Sequence, residues 1–247
     1  MMELEALRQP GRVDGIDVSA IQGKIDYDRV AAAGFRFVVA KVAEGVGYCD
    51  PRGAANLAAA RATGLYALAY SFARPSQGRA REQVRKLWDC MGDTMVHRAV
   101  LDLEGAPDAM SPAEIVAFGE EWIDEWAAHS GLRPMFYSYP SFINERMRGA
   151  VERSEVIAAC PLWIAQYRST TVAWAPSAVQ QPGVPKPWKR WDMWQYSGNG
   201  GYRVPGVAVD CDRNLFNGDE RALRDFLGLP DPSADSEPTL RVPSGDA

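Results

Sequence analysis

Histidine is almost missing from this chain, and the chemistry that depends on it is hard to build here. Only two histidines, His97 and His129, occur among 247 residues. His97 falls at an apparent strand start and His129 on a helix, and neither stands near a cysteine at the spacing of zinc ligands. The four cysteines, Cys49, Cys90, Cys160 and Cys211, are scattered and form no C-x-x-C pair. Disulfides are open to them, but the simpler reading is four free, mostly buried thiols. No metal and no cofactor is expected. A metal-dependent deacetylase or amidase, which needs several His or Cys ligands, is disfavoured for the same reason.

Other absences narrow the field further. No run of 18 apolar residues occurs, so no segment is expected to cross a membrane. Met1 to Pro10 is polar, carries Glu3, Glu5 and Arg8, and lacks the apolar stretch of a secretory signal. There is no excess of positive charge: the net charge is −5, against a nucleic-acid partner. No Gly-rich phosphate loop follows any apolar strand, which removes the main reason to choose a doubly wound open sheet.

What remains is ordinary globular composition, 47% hydrophobic and 24% charged. Short apolar strands alternate with helical stretches. Strands are expected at 12–17, 35–41, 65–72, 97–104, 133–139, 161–167, 192–196 and 207–210. Helices are expected at 26–33 with Asp26 as N-cap, 56–63, 78–91, from Ser111 to about Gly131, 140–149 and 220–227. Ser111-Pro112-Ala113-Glu114 is a capping box with proline at the first helical position. Residues 168–191 suggest a long irregular loop. Helices accompany about the first five strands, so the fold class is α/β, a TIM-like barrel whose last strands lack helices. The barrel is expected over 13–229, after an N-terminal extension (1–12) and before a polar, Pro/Ser-rich tail (230–247) expected to be disordered or a linker.

Parallel barrels place chemistry at the C-terminal ends of their strands. Four acids occupy such ends: Asp17, Asp102, Glu104 and Asp210. Acids are costly on the apolar part of a strand, so four at equivalent positions point to a site, with helix capping as the plainer alternative. Asp102 and Glu104 are two apart on a strand and point to one face, about 6.5–7 Å between Cα atoms. Two carboxyls so close repel, and one keeps a proton near neutral pH. A protonated acid beside a charged partner is what glycosidic-bond cleavage uses. Aromatics fall near the same ends: Tyr70, Phe72, Tyr137, Tyr139, Trp163, Tyr167, Trp194 and Tyr196. Phe72 is assigned to packing; the others, with Gln166 and Gln195, are candidates for stacking on sugar rings and bonding their hydroxyls.

With these residues laid out, the chain resembles the family 25 glycoside hydrolases, the Chalaropsis-type lysozymes that include many phage endolysins. The likeness is carried by Gly15-Ile16-Asp17-Val18-Ser19 with Gln22-Gly23, and by Lys41-Val42-Ala43-Glu44-Gly45 with Tyr48 and Asp50-Pro51. It continues through Leu101-Asp102-Leu103-Glu104, Pro161 to Tyr167, Trp194-Gln195-Tyr196-Ser197, and Val209-Asp210-Cys211-Asp212 with Phe216-Asn217-Gly218. It runs from about residue 14 to 228. The resemblance implies an irregular (β/α)5(β)3 barrel and hydrolysis, with retention, of the β-1,4 bond between N-acetylmuramic acid and N-acetylglucosamine of peptidoglycan. Carried over, Glu104 is the general acid and Asp102 the negative partner that stabilises the transition state, with orientation of the substrate's own N-acetyl group as one way to do so. Asp17 and Asp210 complete the acidic floor.

Two departures stand out. Ser71 occupies the place where the family commonly has histidine. Arg213-Asn214 before Leu215-Phe216 looks like a small insertion, which bears on whether Asp210 or Asp212 faces the groove; we favour Asp210. A monomer is expected, made in the cytoplasm and acting at the bacterial wall after release by a separate export or holin system. The alternative is a non-catalytic wall-binding or virion protein on the same fold.

Overall fold

A computed structural model describes residues 11–94, 96–167, 180–198 and 203–230. The N-terminal extension through residue 10, residues 168–179 of the expected irregular loop and the tail from 231 lie outside the described residues. The strands are β1 (Val13–Val18), β2 (Phe37–Glu44), β3 (Tyr48–Cys49), β4 (Tyr66–Phe72), β5 (Arg98–Asp102), β6 (Met135–Ser138), β7 (Leu162–Ala165), β8 (Met193–Ser197) and β9 (Asp212–Phe216). They form one nine-stranded sheet in which β1 also pairs with β2, so the sheet closes into a barrel with only β3 outside. β1, β2, β4, β5, β6, β7 and β8 run parallel. β9 is antiparallel to both of its neighbours, β8 and β1.

Helices α1 (Tyr27–Ala32), α2 (Gly53–Ala62), α3 (Ala80–Met91), α4 (Pro112–Ser130) and α5 (Glu155–Ala158) follow the first five barrel strands, and α6 (Glu220–Phe226) follows β9. This is the irregular (β/α)5(β)3 barrel expected. The local signals act as anticipated. Asp26 caps α1 by accepting from the Arg29 amide. Ser111 and Glu114 close the capping box of α4, and Gly131 ends that helix in the left-handed region, where glycine pays no Cβ penalty.

Strand alternation sorts the core into two layers. Phe37, Leu68, Val100, Met135, Trp163, Met193 and Phe216 fill the barrel interior. Ile16, Val38, Leu101, Phe136, Leu162 and Trp194 face outward, in one cluster with Leu87, Ile115 and Trp122 of the helices. Gly15 is needed where β1 passes Phe37, because a Cβ there would lie 2.2 Å from the ring. Truncating a fully buried ring such as Phe37 costs about 3–5 kcal/mol. Leu223 and Leu227, within and just after α6, join the interior cluster and close the barrel at the N-terminal ends of its parallel strands. Arg98 donates to the Phe226 carbonyl and Arg224 to the Tyr66 hydroxyl, fastening that plug.

Two expectations are corrected. Residues 207–210 are not a strand; the chain turns there, and the closing strand starts at Asp212. Cys49 and Cys90 are not free thiols but a disulfide across Cα atoms 5.5 Å apart, joining β3 to α3. The β2–β3 hairpin brings Cys49, at the end of β3, against α3, a contact that scattered spacing does not disclose. Cys160 and Cys211 are free and buried. No described helix is long and apolar enough to cross a membrane.

Candidate active site

Asp17, near the C-terminal end of β1, is the hub of the barrel mouth. Its Oδ2 accepts from Gln195 Nε2 of β8 at 2.9 Å and from Asn214 Nδ2 of β9 at 2.7 Å. Both amides are oriented by partners on the side away from Asp17. Tyr137 and Tyr167 each donate a hydroxyl to Gln195 Oε1 at 2.8 Å, and the donor-only Trp163 indole bonds Asn214 Oδ1 at 2.9 Å. Gln195 and Asn214 therefore have only their N–H groups left to turn toward Asp17. Burial raises the Asp17 pKa to about 6, and these donors hold it from going higher.

The fourth acid of the mouth is Asp212, not Asp210. Asp210 is exposed, and its backbone carbonyl accepts from Gln22. Asp212 lies opposite Asp17 in the β1–β9 register and also accepts from Gln195 Nε2, at 3.3 Å. The reason is strand direction: an antiparallel strand presents its first residue, not its last, at the mouth where parallel strands end. Burial, and then the Asp17 charge, push Asp212 up to about 9, so it is the protonated member and donates to Asp17.

β5 supplies the pair read from the sequence. The ladder ends at Asp102, but alternation continues: Leu103 is buried in the outer cluster, and its amide bonds the Tyr137 carbonyl. Asp102 and Glu104 thus both face the mouth. Asp102 is 5% exposed, and its Oδ1 finds no hydrogen-bond partner among the described residues. Burial raises its pKa well above the carboxylate range, the Glu104 charge raises it further, and Lys41 opposes both. Burial and then Asp17 raise Glu104 as well. A cluster in which every carboxyl is pushed upward retains protons near neutrality, as a general acid requires.

Glu104 is half-buried and opens onto a pocket of about 510 Å³ lined also by Tyr137, Tyr139, Ala165, Gln166 and Tyr167. Tyr167 is 47% exposed, a phenol edge available to a ligand. Gln166 takes the Gly183 amide on its Oε1. Tyr70 is half-buried among Asp17, Asp102 and Asp212, whose charges add to burial in raising its pKa. Trp163 is buried as a floor, 4.5 Å from the Tyr137 ring. Trp194 and Tyr196, expected to touch substrate, do not face the mouth. They alternate with Gln195 and pack outward, and Trp194 bonds the Gln166 carbonyl. Ser71 alternates with Tyr70 and Phe72 in the same way and is fully buried, so it does not stand among the mouth acids.

Asp212 had been weighed against Asp210 and not favoured; Asn214 was not among the expected site residues, and neither was the rim formed by Lys41, Glu44 and Arg74. There Glu44 binds both cations, Lys41 and Arg74, and the two cations lie over the Phe72 ring. The period-two pattern of Asp212, Asn214 and Phe216 is the signal that was available for the first two.

The family model described as "Glycosyl hydrolases family 25" matches residues 16–207. Lysozyme M1 of Streptomyces globisporus is 34% identical over 220 residues, 85% of this chain and 70% of its own length. The N,O-diacetylmuramidase of Chalaropsis sp is 31% identical over 142 residues, 53% of this chain and 67% of its own. The crystal structure of the bacterial lysozyme from Streptomyces coelicolor superposes with a TM-score of 0.74 at 31% identity, covering 88% of this chain and 96% of that one. Acids gathered at one barrel mouth, beside a tyrosine-lined pocket, thus occur in a chain that belongs to the glycosyl hydrolases of family 25, a glycoside hydrolase of the lysozyme kind.

Proposed function

We propose that the protein cleaves the β-1,4 bond between N-acetylmuramic acid and N-acetylglucosamine in peptidoglycan, with Glu104 as the general acid. The observation that carries this reading is the placement of Glu104: the half-buried carboxyl of the cluster, it alone borders the tyrosine-lined pocket. A sugar ring seated against Tyr137, Tyr139 and Tyr167 brings its glycosidic oxygen to that acid. The names of the relatives, a lysozyme and a diacetylmuramidase, support the substrate.

In the reactive form the proton sits on Glu104. Removing the Glu104 charge takes away the largest electrostatic penalty on Asp102, and Lys41 favours the Asp102 anion. Asp102 then accepts the N–H of the substrate's acetamido group on its unpartnered oxygen and stabilises the positive charge that grows as the bond breaks. Asp17, fixed by Gln195 and Asn214, keeps a negative charge that holds the Glu104 pKa high. The reaction proceeds with retention, and the protein works as a monomer.

The protein acts at the bacterial wall, after release by a separate export or holin system as an endolysin would be. The Cys49–Cys90 disulfide supports work outside a reducing cytoplasm. Mass spectrometry of fragments from purified walls tests the substrate: muramic acid at the new reducing ends is expected, and N-acetylglucosamine there would overturn the bond assignment. Anomeric proton NMR of the first product tests retention, and sedimentation the monomer.

A further inference from the structure

Glu104 lies beyond the end of its strand, so the sheet does not hold it directly. On the upstream side it is anchored by Leu103, buried and bonded to the Tyr137 carbonyl. On the downstream side stands Gly105, around which a Cβ would meet nothing within 4 Å, so packing does not fix the chain there. Two side chains from the segment after β6 reach across to this loop. The Tyr139 hydroxyl donates to the Glu104 carbonyl at 3.3 Å. Arg146 donates from Nη1 to the Ala106 carbonyl at 3.3 Å and from Nη2 to the Pro107 carbonyl at 2.8 Å. Its Nη1 also meets Asp108 at 3.3 Å, but the Asp108 side chain is fully exposed and adds little. Arg146 ends a single π-helical turn, Phe142–Arg146, a rare geometry that recurs at functional sites. A small cavity of about 190 Å³ lies between the two segments, bordered by Glu104, Gly105, Tyr139 and Arg146.

We infer that Arg146 is a positioning residue for the catalytic acid: by clamping the Ala106 and Pro107 carbonyls it fixes the loop downstream of Glu104 and holds that carboxyl at the glycosidic oxygen. A planar fork suits two carbonyls one residue apart, which a single ammonium matches poorly. The inference rests on Glu104 being the acid. Misplacing a reacting group by about 1 Å is worth about 100-fold in rate.

The test compares Arg146→Ala, Arg146→Lys, Asp108→Ala and Glu104→Gln in the full chain, with kcat expressed per folded molecule. On wall glycan fragments, Arg146→Ala should lose about 10–100-fold in kcat with KM within about threefold. Arg146→Lys should recover part of that loss, and Asp108→Ala should match wild type. The loss should shrink on an aryl glycoside, whose leaving group needs no proton, a selectivity that general loosening of the fold does not produce. Wild-type kcat in Arg146→Ala, or an equal loss on both substrates, overturns the inference. Should Arg146→Ala fail to fold, Arg146→Lys decides: reduced kcat at unchanged KM supports the clamp, and wild-type kcat removes it. Full activity in Glu104→Gln would instead overturn the assignment of the acid itself.

Discussion

Asn214 stands 2.7 Å from Asp17 across the antiparallel seam between β9 and β1, and its other end is held by the Trp163 indole. The pair is buried, so neither group can turn to water if the other is removed. Asn214→Ala should cost about 1–3 kcal/mol, the penalty of leaving buried partners unmatched. For a domain of this size that is a fall in melting temperature of about 2–4 °C per kcal/mol. Turnover should fall too, because Asp17 loses a donor that keeps it charged. A calorimetric scan with unchanged melting would remove Asn214 from the support of Asp17.

Asp212 gives the protein a pH-dependent stability of definite sign. Its folded pKa, about 9, lies above that of an unfolded aspartate, so the folded state holds a proton that the unfolded chain has released. That contribution is complete at pH below the unfolded value and is lost as the pH rises toward 9. Asp212→Asn mimics the protonated form and should flatten the fall in melting temperature between about pH 5 and 9. Parallel melting curves for variant and wild type over that range would contradict this.

Replacing Glu104 by glutamine should leave folding intact and lower kcat by about 10²–10⁴-fold, the usual worth of a general acid. Asp102→Asn should also cripple turnover, since a neutral amide cannot stabilise positive charge. Clearing of a peptidoglycan suspension reads both. A wild-type rate in Asp102→Asn would exclude that residue from the mechanism.

The mouth chemistry proposed is carried by the protein's own side chains. Activity should therefore persist in excess EDTA; its loss, with recovery on adding a divalent metal, would favour metal-assisted hydrolysis.

The disulfide closes a loop with a sequence separation of 41 residues. In the chain-entropy picture such a link is worth about 4 kcal/mol. Cys49→Ser with Cys90→Ser should melt several degrees lower than wild type, as should wild type in dithiothreitol. Identical melting with and without reductant would show that the link carries no stability.

Strand ends carry most of what was legible beforehand. Asp17, Asp102 and Glu104 were readable because β1 and β5 are parallel, so the end of each apolar run lies at one mouth. The choice between Asp210 and Asp212 went the wrong way because β9 runs antiparallel, a fact of pairing that no single segment encodes. Trp194 and Tyr196 were misplaced through disregard of alternation: if Gln195 faces in, its two neighbours face out. The network around Asp17 joins residues 178 and 197 positions apart. Only folding makes such partners neighbours.

Because α6 stoppers the barrel at the end remote from the acids, both described ends of the chain depart on that far side: Val13 opens β1 there, and Pro230 is held by Arg224 of the stopper. Glycan therefore meets the protein at the opposite mouth, and the described ends of the chain lie behind the cutting face rather than in front of it. A bulky fusion at residue 11 or 230 should leave the route of a wall strand unobstructed.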